Sequence, residues 1–119
     1  MHNDRVEIWH NPRCSKSRAA KTALDAAAPG HTERRYLDDP PTEAELDEVL
    51  AKLDRQPWEI TRMKEARAKE LDLANLPHDR AAWIAVLAAN PVLIERPIII
   101  TDDGRAVIGR SQEAIDEVL

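Results

Sequence analysis

The 119-residue chain has a single cysteine, Cys14, only three glycines, one tyrosine and no phenylalanine. One cysteine cannot close an internal disulfide, which excludes a bridge-stapled secreted scaffold. A zinc site built on several thiolates is excluded as well. His2, His10, His31 and His78 show no metal-ligand spacing, so no metal is expected. A lone free thiol fits a reducing compartment, and the expected location is the cytoplasm. Three tryptophans and the one tyrosine leave little for the stacking platforms that hold single-stranded nucleic acid. Basic residues are outnumbered, 17 Lys and Arg against 22 Asp and Glu. That balance argues against nucleic-acid binding, which needs a basic surface. No apolar run approaches the roughly 20 residues that cross a bilayer, and residues 1–5 are polar, which is not how a signal peptide begins. The expectation is one domain over 1–119, most simply a monomer, with neither membrane nor nucleic acid as partner. It is long enough to bury an ordinary core.

What is there reads as an α/β chain. Val6 to Trp9 alternates apolar and polar residues and predicts a strand ending at His10. Asn11-Pro12 breaks it. From Ser15 a helix is predicted, with Ala19, Ala20, Ala23, Leu24 and Ala27 on its apolar face and Pro29-Gly30 as its stop. Glu33 to Leu37 is a second, charged strand. Thr42 and Glu45 form a capping-box pattern ahead of Leu46, Val49, Leu50 and Leu53. One or two short helices are expected between Trp58 and Leu76. Asp79 caps a further helix with Trp83, Val86 and Leu87 facing inward. Pro97 to Thr101 is strand-like, Asp103-Gly104 signals a hairpin, and Arg105 to Ile108 returns. Ser111 caps a last helix with Ala114, Ile115, Val118 and Leu119 on its apolar side. A β-α-β unit implies a parallel strand pair, and the hairpin extends it. The prediction is a thioredoxin-like, four-stranded mixed sheet flanked by helices, with a helical insertion at about residues 40–90.

Cys14 falls at the mouth of the first predicted helix. The first N–H groups of a helix lack intrahelical partners, and its dipole favours negative charge there. Both effects stabilise a thiolate, the nucleophilic form of cysteine. Residues 10–18 hold three basic groups and no acidic one, a local +3; the remaining 14 basic and 22 acidic groups make the rest −8. A positive pole on an acidic protein suits a small anion. The bland alternative is a buried apolar cysteine, and the polar, basic surroundings speak against it. Ser17 stands where a dithiol motif would place its second cysteine, so this chain cannot resolve its own oxidised thiol.

The stretch from His10 to Arg18, His-Asn-Pro-Arg-Cys-Ser-Lys-Ser-Arg, resembles the signature of the glutathione/glutaredoxin-linked arsenate reductase family. Tyr36-Leu37 with Pro40-Pro41, Ile60-Thr61-Arg62, Leu71-Asp72-Leu73, the run from Asn90 to Ile100, and Ile108-Gly109-Arg110-Ser111 are also similar to family segments, in order. The resemblance implies that Cys14 is the catalytic nucleophile and that His10 interacts with it and helps ionise it. It implies that Ser17 supports the thiolate and that Arg62, Arg96 and Arg110 bind the anion. Pro97 matches a proline that is cis in this fold. The implied activity is reduction of arsenate, or a similar small oxyanion, to arsenite. The implied partners are a low-molecular-weight thiol such as glutathione as co-substrate, and glutaredoxin, with no bound cofactor.

Taken singly, each arginine has an ordinary alternative. Arg62 is placed to pair with Glu59 or Glu65, Arg96 to flank a strand in solvent, and Arg110 to precede a helix. Two other functions stay open: a monothiol, glutaredoxin-like thiol-transfer enzyme, and a non-catalytic redox regulator that binds RNA polymerase. Ser17, in place of a second cysteine, counts against the regulator.

Overall fold

A computed structural model describes Val6 to Leu119. It divides into two compact units, one comprising the residues up to Asp39 together with Arg96–Leu119, the other Pro40–Glu95.

The first unit is built on a mixed sheet. Strand β1 (Val6–Trp9) pairs in parallel with β2 (Thr32–Arg34) and antiparallel with β3 (Ile98–Thr101), which pairs antiparallel with β4 (Ala106–Ile108). The order β2-β1-β3-β4 puts the two most apolar strands in the middle. Helix α1 (Ser15–Ala27) is the crossover between β1 and β2, and α5 (Gln112–Asp116) follows β4. Both pack on one face of the sheet, where Val6, Ile8 and Ile99 meet Ala20, Leu24, Ile115 and Val118 in a buried cluster. The α/β plan with a four-stranded mixed sheet flanked by helices is the one the element order predicts.

Several local readings change. Strand β2 ends at Arg34 rather than running on to Leu37: the carbonyl of Arg35 accepts the N–H groups of Asp38 and Asp39, turning the chain so that Tyr36 is buried. On α1, Ala19 and Ala27 are exposed, and the buried stripe is Ser17, Ala20 and Leu24. The stripe is rotated because the helix meets the sheet through a polar contact at Ser17, described below. Leu119 is exposed although Val118 is buried. The hairpin is as expected, with Gly104 at φ +96, a conformation that favours glycine. Asp103 accepts hydrogen bonds from the Arg105 guanidinium and the Thr101 hydroxyl, which hold its carboxyl down at about 2. The peptide bond before Pro97 is cis.

The second unit is helical: α2 (Glu43–Leu53), α3 (Ala66–Glu70) and α4 (Arg80–Ala89), with 3-10 turns at Pro57–Ile60, Leu73–Asn75 and Pro91–Leu93. The capping box closes as the spacing predicts. Thr42 Oγ1 accepts the Glu45 N–H at 3.1 Å, and the Glu45 carboxylate accepts the Thr42 N–H at 2.9 Å. Asp79 caps α4 by accepting the Ala82 N–H. Trp83, Ile84 and Leu87 are its buried residues, while Val86 is half-buried. His78, partnerless in the sequence, stacks flat on Trp58 at 4.2 Å, with Trp83 edge-on to both rings. Among the described residues no helix is long and apolar enough to cross a membrane.

Candidate active site

The loop between β1 and α1 is shaped by Asn11. Its backbone carbonyl accepts the Cys14 N–H at 3.0 Å, and its side-chain oxygen accepts the Arg13 N–H at 3.0 Å. This turn delivers Cys14 to the N-cap of α1 in an extended conformation, while its own carbonyl already accepts the Arg18 N–H. The Arg18 guanidinium reaches back to the Pro12 carbonyl at 3.0 Å and ties the loop to the first helical turn.

The half-buried thiol feels opposing influences. Burial pushes it up; the N–H groups of Ser17 and Lys16 and the Arg96 guanidinium pull it down by more, and the result lies below the ordinary value of a cysteine. No capping hydrogen bond closes on the sulfur. The amides nevertheless face it closely enough to favour its charged form, as expected at a helix N-terminus. The sign gives a direct prediction. The Cys14 alkylation rate, followed with iodoacetamide against pH, keeps its thiolate plateau to lower pH in the native protein than in the urea-unfolded chain, because the folded environment releases the proton earlier. Coincident profiles would remove the assignment.

His10 is 4% exposed and Ser17 is fully buried, although both are polar. They satisfy one another: His10 Nδ1 and Ser17 Oγ lie 2.7 Å apart, and Ser17 Oγ also accepts the Asn11 N–H at 2.9 Å. The His10 backbone N–H is held by the Arg34 carbonyl at 2.7 Å. Burial lowers the His10 pKa; Glu33 opposes this, while Lys21, Arg35 and Arg18 reinforce it. Ser17 stands between the two groups: its N–H faces the Cys14 sulfur and its hydroxyl meets the His10 imidazole.

Two of the three arginines come together. The Arg96 guanidinium stands near Cys14 and favours its thiolate, and the Arg110 guanidinium donates to the Arg96 carbonyl at 3.0 Å. Nε of Arg96 is buried with no hydrogen-bond partner among the described residues. Arg62 belongs to the helical unit, where its guanidinium pairs with Glu65 at 3.4 Å and donates to the Val92 carbonyl at 3.3 Å. The Glu65 pairing foreseen as its ordinary alternative does form. No cluster of three or more His, Cys, Asp or Glu side chains able to hold a metal occurs among the described residues.

The family model whose description reads ArsC family matches residues 9–118. The chain belongs to the ArsC family. Among its relatives, an uncharacterized protein in the glnII region of Streptomyces viridochromogenes is 50% identical over 96% of this chain and 98% of its own length. An arsenate reductase from Neisseria meningitidis is 40% identical, over 96% of this chain and 97% of the relative. Among solved structures, an arsenate reductase from Vibrio cholerae superposes with a TM-score of 0.91 at 34% identity, covering 99% of this chain and all of that one. Within this ArsC-family fold the matched residues span Trp9 to Val118, and so include every candidate site residue: His10, Cys14, Ser17, Arg62, Arg96 and Arg110.

The sequence does not mark Glu33 as a neighbour of the site, although it acts on His10. Glu33 was read only as part of a charged strand. His31 Nδ1 lies 2.8 Å from the Ala28 carbonyl and its Nε2 3.6 Å from Asp25. No helical or strand pattern marks Glu33 as a clamped residue, because its partner Lys21 lies across the α1–β2 contact.

Proposed function

We propose that this ArsC-family protein is an arsenate reductase that uses Cys14 as nucleophile and draws its electrons from external thiols. The observation that carries the reading is the thiol itself: it sits at a helix N-terminus with two amides and a guanidinium favouring its charged form. The orphaned Nε of Arg96 supports it, being a buried donor that an oxyanion would satisfy. Arsenate reductases among the relatives support the choice of oxyanion.

In the proposed sequence the Cys14 thiolate attacks arsenic and forms the S–As bond. One arsenate oxygen takes up protons and leaves as water. Two equivalents of external thiol then supply two electrons. Arsenic falls from the pentavalent to the trivalent state and leaves as arsenite, the external thiols end as a disulfide, and Cys14 returns as a thiol. Glutathione and glutaredoxin fill the external role in this reading, since the chain has no second cysteine. The guanidinium forks of Arg96 and Arg110 hold the oxyanion. Arg62 is assigned the same role on its match to the family motif alone. His10 and Ser17 orient the loop that presents the sulfur. No metal and no bound cofactor is invoked.

Arsenate binding is read by protection. Saturating arsenate should slow alkylation of Cys14 by about tenfold or more, a difference in effective thiol exposure of roughly 1.4 kcal/mol. Arg62→Ala should weaken that protection. Unprotected alkylation, combined with no arsenite formed in the presence of glutathione and glutaredoxin, would defeat the reading and leave thiol transfer in its place.

A further inference from the structure

The first turns of α1 meet the sheet through two polar contacts on the same face of the helix, one at the end of β1 and one on β2. Ser17 Oγ lies 2.7 Å from Nδ1 of His10, at the end of β1, and Lys21, one turn further on, reaches Glu33 on β2 at 3.4 Å. Glu33 sits opposite Ile8 in the β1–β2 register, so the Ile8, His10 and Glu33 side chains share the sheet face that α1 covers. The Glu33 carboxylate is half-buried and held by Lys21 and by Arg35 Nε at 2.7 Å. Among the described residues it is the acidic group that acts on His10; the charges that oppose it are Lys21 and Arg18 on α1 and Arg35 just after β2. Strand β3, the other neighbour of β1, carries no charged residue.

We propose that Glu33 is a positioning residue of the Cys14 site: a clamped carboxylate that acts through His10 by setting the proton occupancy of its imidazole, and hence the direction of the His10–Ser17 hydrogen bond. The chemistry of that bond makes the link. Ser17 Oγ already accepts the Asn11 N–H, and it has one proton of its own to give. When His10 is neutral with Nδ1 unprotonated, the Ser17 hydroxyl donates to it. When His10 is charged, Nδ1–H donates instead, and the hydroxyl proton is released for another acceptor beside the thiol. Glu33 favours the charged imidazole, while burial, Lys21, Arg35 and Arg18 oppose it. With Cys14 and His10 coupled in this way, thiol reactivity carries the imidazole titration as a second inflection. The proposal rests on Cys14 being the nucleophile.

The test is NMR titration of the imidazoles in the full chain, with the His10 signal assigned by its loss in His10→Gln. Glu33→Gln should lower the His10 midpoint by about half a pH unit or more, roughly a threefold change in protonation constant. Lys21→Met should raise it. General loosening of the α1–β2 contact would move both variants the same way, so the opposite signs separate charge from damage. That second inflection of Cys14 alkylation should follow the His10 midpoint in each variant. An unmoved midpoint, shifts of one sign, or a moved midpoint that leaves the inflection in place would each overturn the proposal. None of these readouts uses arsenate. If the wild-type protein reduces no arsenate while His10 shifts as expected, the proposed function alone falls. If it reduces arsenate and the midpoint stays put, the role of Glu33 alone falls.

Discussion

Cys14→Ser should lower arsenate reduction by about a thousandfold or more, to the level of the uncatalysed mixture of arsenate, glutathione and glutaredoxin. The serine hydroxyl does not ionise near neutral pH and offers no sulfur to bind arsenic, so both attack and turnover are lost together. The fold, by contrast, should gain. Cys14 occupies the N-cap of α1 in an extended conformation (φ −98, ψ 124) and makes no capping hydrogen bond. Serine adopts that conformation and caps well, so stability should hold or rise by up to about 1 kcal/mol. Arsenite production and a urea melt on the same preparation check the two halves. A variant that retained activity within tenfold of wild type would dismiss Cys14 as the nucleophile.

Ile99→Ala should cost about 2–5 kcal/mol, the range for truncating a fully buried aliphatic side chain. Ile99 has no exposed surface and lies at the centre of β3, paired with Ile8 on β1 and Val107 on β4. Its side chain also fills the space over Gly109, where an added Cβ would come within 2.7 Å of Cδ1. Sheet neighbours, α1 and α5 all close on the same cluster, so little of it can collapse into the hole. The loss is read as a lower midpoint in urea unfolding with unchanged slope. A cost under about 1 kcal/mol would mean that the cluster repacks, and that the α1 packing supporting the thiol is softer than its burial suggests.

Legibility followed the range of the interactions involved. The caps at Thr42, Asp79 and Ser111 were readable because each joins a side chain to an N–H three residues on. The Asp103-Gly104 hairpin was readable because only a left-handed position explains its glycine. The second strand was overextended because Tyr36 looks strand-like by composition, while its burial follows from a turn anchored at Arg35. The apolar face of α1 was misplaced for a related reason. Alanines at 19 and 27 score as apolar, whereas the buried position is Ser17, whose hydroxyl is satisfied by His10. Nothing in a helical pattern marks a serine as an inward residue when its partner sits at the end of a preceding strand.

The sequence by itself determined the order of strands and helices, the position of Cys14 at a helix mouth and the positive pole around it. These depend on near neighbours in the chain. The tertiary structure decided the strand order β2-β1-β3-β4, the closeness of Arg96 to the thiol, the His10–Ser17 bond and the Glu33 clamp. Each of these joins residues from different elements. Electrostatic and hydrogen-bond energies depend on distance in space, and that distance is set only when the strands pair and α1 settles on the sheet.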